Sequence, residues 1–157
     1  MGMKQILVMM AAVVLVGQSV VADEKLIADP IVEKVVLLSL EKPEGELTEA
    51  DLENVTVLAL DFTKITDAGL KDVAKLQNLE ELNLFRTQIT DEGLKDLAKL
   101  QKLTTLDLTF TKITDAGLKD VAKLQKLEIL ELIGTKITDA GVAELKKALP
   151  NCKIEGP

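Results

Sequence analysis

Histidine, tryptophan and tyrosine are absent from this chain, which removes the usual proton carrier and the commonest metal ligand at a stroke. Phe is the only aromatic, at 3 residues, and Arg86 is the only arginine. A single cysteine, Cys152, cannot close an internal disulfide, so stability has to come from packing alone. Basic charge is also scarce, at 19 Lys and Arg against 26 Asp and Glu. That balance repels phosphate backbones and anionic membrane surfaces, so nucleic acid is not an expected partner.

Long hydrophobic runs are missing too. Lys4 precedes an apolar stretch from Ile6 to Val16, then come polar Gly17, Gln18 and Ser19 and a small-residue segment ending at Ala22. This order predicts a secretory signal peptide over residues 1–22. The rival reading is a membrane anchor, but the apolar run falls short of the roughly 20 residues that span a bilayer. Removing it takes away Lys4 and no acid, leaving 18 basic against 26 acidic residues and a net charge of −8. The expected location is outside the cytoplasm: periplasmic, cell-envelope or secreted, with no stable membrane insertion after cleavage.

What the chain does have is repetition. TKITDAGLKDVAKLQ occurs unchanged at Thr63–Gln77 and Thr111–Gln125, with close copies starting at Thr87 and Thr135, each 24 residues after the last. That length suits one strand, one helix and two turns. Aligned on leucines, the units read L-x-x-L-x-L-x-x-T-x-I-T-D-x-G-[LV]. The positions are Leu79, Leu82, Leu84, Thr87 and Ile89; Leu103, Leu106, Leu108, Thr111 and Ile113; Leu127, Leu130, Leu132, Thr135 and Ile137; with Val55, Leu58, Leu60, Thr63 and Ile65 as the fourth copy. A period in this range with fixed leucines is the mark of a solenoid.

The pattern resembles the leucine-rich-repeat family, over about Val35 to Ile154. The ITDAGL continuation is similar to the variant of F-box leucine-rich-repeat proteins and of many exported bacterial repeat proteins. No F-box stands ahead of the repeats, so a ubiquitin-ligase role is not carried over. The resemblance implies an α/β fold: a right-handed solenoid with a parallel sheet on the concave side and helices on the convex side.

The residues predict the same architecture independently. Alternating leucines in L-x-L point to one side of a short strand and form the core. Thr66, Thr90, Thr114 and Thr138 are candidate helix N-caps, and Asp67, Asp91, Asp115 and Asp139 follow them at the positive helix ends. Leu70, Val73 and Leu76 form one apolar helix face. Asp67 and Lys71, Asp91 and Lys95, and Asp115 and Lys119 stand at the spacing of helix-surface ion pairs. Thr63, Thr87, Thr111 and Thr135 form a hydroxyl column able to bond the turn and the neighbouring coil.

Six parallel strands are expected, near residues 35–40, 55–61, 79–85, 103–109, 127–133 and 149–155. The domains divide into residues 1–22, a capping segment 23–34 and a repeat domain 35–157. The repeat domain has units near 35–54, 55–78, 79–102, 103–126 and 127–148 and a terminal strand 149–155. Leu149, Cys152 and Ile154 align with the unit leucines, which makes Cys152 core and places Lys153 beside Glu131.

Variation between units concentrates on the sheet. All three phenylalanines and the lone arginine fall in two neighbouring columns, one containing Phe85 and Ile133, the other Phe62, Arg86 and Phe110. Phe62 and Phe110 are expected to flank Arg86, with Phe85 adjacent, as a cation–π cluster worth about 0.5–2 kcal/mol. Arg and aromatic residues dominate binding hot spots; the rings could equally cover the sheet edge. Asp107 and Glu131 are expected on adjacent strands, with Ile129 on the same face. Two close carboxylates are able to do acid–base work, though without a histidine or a third ligand a solvated face is the simpler reading. The candidate binding residues are therefore Phe62, Phe85, Arg86, Phe110, Asp107, Glu131, Ile129 and Ile133, with no metal or cofactor implied. The expected role is a non-catalytic module binding a protein partner on its concave sheet. An assembly module docking through the solenoid ends, and an enzyme using Asp107 and Glu131, are the alternatives.

Overall fold

The computed structural model describes residues 25–42 and 44–156. The expected signal peptide lies outside the described residues. Five three-residue strands, β1 (Val57–Ala59), β2 (Glu81–Asn83), β3 (Thr105–Asp107), β4 (Ile129–Glu131) and β5 (Lys153–Glu155), pair in chain order, all parallel. The central residue of each triplet faces inward: Leu58, Leu82, Leu106 and Leu130 are buried, and Ile154 of β5 is half-buried. The chain then turns back through a helix on the other side. These helices are α3 (Asp67–Val73), α4 (Asp91–Leu97), α5 (Leu118–Val121, entered through a 3-10 turn at Asp115–Gly117) and α6 (Asp139–Ala148). The leucines of sheet, turn and helix merge into one continuous core running through every coil.

The helices stop where the sequence supplies a cap. Gln77, Gln101 and Gln125 donate their side-chain amides to the carbonyls of Ala74, Ala98 and Ala122 at 2.6, 2.7 and 2.6 Å. They satisfy last-turn carbonyls that have no helical partner. In α2 (Glu49–Glu53), a capping box of Thr48 and Asp51 fixes the start.

Two expectations about the strands change. Residues 35–40 are not a strand: they belong mostly to α1 (Pro30–Ser39), so the sheet has five strands rather than six among the described residues. The Asp29 carboxylate accepts the N–H groups of Ile31 and Val32 at 2.8 and 3.1 Å, and Pro30 occupies the first helical position. That N-terminal signal is strong. It selects Val32 and Val36, spaced i and i+4, as the buried pair. Helix α1 lies against β1 and α3 and closes that end of the core. Asp72 of α3 fastens the segment by accepting the Ala28 and Asp29 N–H groups at 2.9 and 2.7 Å.

The second change is the register of β5. Lys153 pairs with Ile129, Ile154 with Leu130 and Glu155 with Glu131. The Cys152 N–H bonds the Leu149 carbonyl just as Leu127 bonds Leu124, so Cys152 takes the first leucine position as a buried thiol. One residue fewer separates it from the strand than in the other units, and the strand's inward residue is Ile154.

Neighbouring coils are also tied by aspartates. The Thr90 N–H and hydroxyl donate to both oxygens of Asp67, at 2.8 and 2.6 Å. Asp91 receives Thr114 and Asp115 receives Thr138 in the same way. The expected Asp67–Lys71, Asp91–Lys95 and Asp115–Lys119 pairs therefore do not occur among the described residues. Lys75, Lys99 and Lys123 pair instead with Asp72, Asp96 and Asp120. A bidentate charge-assisted bond to backbone and hydroxyl outweighs an exposed lysine pair worth about 0.2–0.5 kcal/mol.

Candidate functional site

The turn after each strand decides what the sheet's rim displays. Phe62, Arg86 and Phe110 have φ of 56, 54 and 55°, in the left-handed region, and Gly134 continues the column at 68°. The thread that holds them there is regular. Phe62, Arg86 and Phe110 donate their N–H groups to the carbonyls of Phe85, Thr109 and Ile133 on the next coil, at 3.0, 2.9 and 2.8 Å. One residue on, the hydroxyls of Thr63, Thr87, Thr111 and Thr135 donate to the carbonyls of Leu60, Leu84, Leu108 and Leu132 at 2.6–2.7 Å. The hydroxyl column thus closes turns within its own coils; its bonds do not cross to the neighbouring coil.

This backbone brings the expected cluster together. Phe85 stands between the other two rings, at 5.0 Å and 67° from Phe62 and 5.7 Å and 78° from Phe110, both edge-to-face. The Arg86 guanidinium carbon lies 5.8, 5.4 and 5.2 Å from the ring centroids of Phe62, Phe85 and Phe110. Such contacts lie within the range of cation–π attraction. Phe110 in turn leans over Gly134, where a Cβ would collide with its ring. Gly134 thus serves twice, adopting the positive φ and leaving room for the ring.

The cluster does not sink into the core. Phe62 is 66% exposed, Phe110 47% and Ile133 44%, whereas the leucines beneath are buried. Ile129, 39% exposed, faces out of the sheet between Thr105 and Lys153. The result is an apolar ledge along the strand ends, with one guanidinium set into it.

Inside the ledge lies an acidic column. Asp107 and Glu131 are register partners as expected, and the shifted register adds Glu155 as the next member. Burial raises the Glu131 pKa above the ordinary carboxylate value; Asp107 and Glu155 push the same way and Lys153 opposes them. Lys153 is ion-paired with Glu155 rather than with Glu131. Asp107 is engaged locally: its carboxylate accepts the Thr109 N–H at 2.8 Å, as Asn83 accepts that of Phe85 at 2.9 Å. No group of three metal-ligating side chains is present among the described residues.

Outside the ledge, two residues beyond the left-handed column, stand Lys64, Gln88, Lys112 and Lys136, all exposed. The column is legible in the sequence at the same 24-residue period, but it lies beyond the sheet positions from which binding residues were expected.

Models of single and paired leucine-rich repeats match the chain over residues 52–74, 77–120 and 123–146. Among solved structures, internalin C2 of Listeria monocytogenes is 30% identical at a TM-score of 0.65, covering 83% of this chain and 54% of that one. Internalin F of the same bacterium is also 30% identical, at a TM-score of 0.64, covering 81% of this chain and 36% of that one. A TLR13 complex with the RNA ssRNA13 is 27% identical at a TM-score of 0.53, covering 68% of this chain and 15% of that one. The chain thus spans about half of internalin C2 and about a third of internalin F. No curated protein sequence gives a significant match. With the repeat motif, the matched models and the open parallel sheet backed by helices in agreement, the chain belongs to the leucine-rich-repeat family.

Proposed function

We propose that the protein is a non-catalytic interaction module that binds a protein partner through the Phe62, Phe85, Arg86 and Phe110 ledge and the adjoining sheet. Leucine-rich-repeat proteins generally mediate protein interactions. The observation that carries the reading is the exposed cluster itself. Three bulky residues are held at positive φ, a conformation costing about 1–2 kcal/mol per residue, in the column where Gly134 shows that glycine fits. Strain of this kind is retained where the displayed side chain matters. Phe and Arg are also the side chains that anchor interfaces.

Ile129, Ile133, Asp107 and Glu131 complete the proposed surface. Ile129 and Ile133 extend its apolar area, and the two carboxylates supply a charged border. As catalytic groups the carboxylates are poorly placed, since one is bonded to its own turn and both lie on an open sheet face. The RNA of the TLR13 complex is not carried over, because the strands here present Glu81, Asp107, Glu131 and Glu155. Export belongs to the same proposal and rests on the leading Lys4 and apolar run. No helix among the described residues is long and apolar enough to cross a membrane.

The test compares the parent with Phe85→Ala/Arg86→Ala in partner capture from the extracytoplasmic fraction, with circular dichroism confirming that both fold. A partner held by the parent and lost by the folded variant supports the ledge. A variant that keeps every partner makes the cluster packing only and moves attention to the solenoid ends.

A further inference from the structure

The chain is acidic overall, at a net charge of −7, yet its charges are sorted by position along each coil. Across the sixteen rim positions 61–64, 85–88, 109–112 and 133–136, Lys64, Arg86, Lys112 and Lys136 face a single carboxylate, Asp61. The five strands immediately inside carry Glu81, Asp107, Glu131 and Glu155 against Lys153 alone. Among the described residues, Lys64, Arg86, Lys112 and Lys136 form no ion pair. On the helix side most lysines are engaged: Lys75, Lys95, Lys99 and Lys123, in or just past α3, α4 and α5, each pair with a carboxylate within a helical turn, while Lys71 and Lys119 form no ion pair among the described residues. The basic column is therefore an available charge bordering an apolar ledge.

We propose that this rim docks an acidic peptide segment carrying apolar side chains, laid across the coils so that its aromatic or aliphatic groups rest on the Phe ledge and its carboxylates meet Arg86, Lys64, Lys112 and Lys136. The inference rests on the reading of the ledge as a binding surface and adds the chemistry of what binds. Equivalent positions on successive coils repeat every ~4.8 Å, while successive same-side residues of an extended peptide lie about 6–7 Å apart. Charges on flexible lysine stems tolerate that mismatch where a rigid ladder would not. The acidic strand column fixes orientation, because a segment shifted inward brings its carboxylates against Asp107, Glu131 and Glu155. The same column disfavours single-stranded nucleic acid, whose unbroken line of phosphates cannot avoid it. Basic and aromatic groups together are nevertheless the elements of a single-strand site, so that class is an arm of the test.

The protein contains no tyrosine or tryptophan, so tyrosine in a probe is seen without background. An alternating Glu-Tyr peptide is titrated against the parent, the folded Lys64→Glu/Lys112→Glu/Lys136→Glu variant and Phe85→Ala/Arg86→Ala, beside a Gln-Tyr peptide and poly(U). The expected result is binding of Glu-Tyr that weakens about tenfold or more in each variant and with rising salt, with Gln-Tyr about tenfold weaker on the parent. Equal binding of Gln-Tyr, lost only in the Phe–Arg variant, overturns the acidic partner while leaving the ledge as a docking surface. Failure of Glu-Tyr to bind, binding unchanged by the lysine reversal, or preference for poly(U) each overturns the proposal. The ledge itself is then judged by partner capture.

Discussion

A single backbone position explains much of the site. Residues 62, 86, 110 and 134 share one left-handed turn, and only the last is glycine. The other three hold their side chains out from the rim, where Phe85 links the outer rings and Arg86 lies within reach of all three. Cys152 is the opposite case, a residue whose chemistry is suppressed. Burial raises its thiol pKa, and the thiol donates a long hydrogen bond to the Lys153 carbonyl at 3.7 Å. The thiolate needed for reaction is thus doubly scarce, by protonation and by access. An aromatic disulfide reagent is expected to label the native protein about tenfold or more slowly than the urea-unfolded chain. Equal rates in the two states would place the thiol at the surface and remove it from the core.

At the scale of the coil, the T-D-x-G sequence serves the neighbouring unit as much as its own helix. Asp67 reaches across to Thr90, and this close approach is possible because Gly93 offers no side chain. A Cβ on Gly93 would stand 2.5 Å from Asp67 Oδ1 and 2.7 Å from Leu70 Cδ1. Replacing glycine by alanine inside a helix normally stabilises by about 0.5–1 kcal/mol. Here the sign reverses: Gly93→Ala is expected to cost about 1–3 kcal/mol through overpacking. Thermal unfolding decides it, and a raised Tm would show that the coils have room to spare. The aspartate bridge was invisible in sequence because Asp after Thr at a helix start already has a sufficient local explanation. Where local pattern and fold agree, as for the leucines, the threonine turns and the Phe–Arg neighbourhood, the sequence was readable from spacing alone. Helix α1 was not, because Val35, Leu38 and Leu40 imitate the strand pattern while Asp29 and Pro30 set the helix. The β5 register was missed for a different reason: Leu149, Cys152 and Ile154 fit the leucine spacing, and only pairing reveals that the turn before the strand is one residue shorter.

Taken whole, the molecule is a row of coils in which each touches mainly its neighbours, so its stability depends on the ends as well as the middle. Its perturbed acids lie largely toward those ends. Asp51 is held to about 2 by a hydrogen bond from Lys42, helped by the Thr48 N–H and hydroxyl. Burial pushes Asp72 up, but Lys75 and the Asp29 and Ala28 N–H groups pull it below the ordinary value on balance. The Thr138 N–H and hydroxyl lower Asp115, on the seam with the last helix. A folded pKa below the unfolded one gives stability that is complete above the unfolded value, about 3.9 for Asp, and lost as pH falls through the folded value. Glu131 has the opposite sign, because its raised pKa makes ionisation unfavourable in the fold and acid relieves it. One carboxyl against three sets the direction. The urea midpoint is expected to change little from neutral pH to about 5, then to fall between about 4 and 2 as the α1 tether and the Asp115 seam are protonated. Glu131→Gln is expected to raise the midpoint at neutral pH and to converge on the parent in acid. A parent midpoint that stays level down to pH ~2 would mean that these aspartates are no better held in the fold than in the unfolded chain.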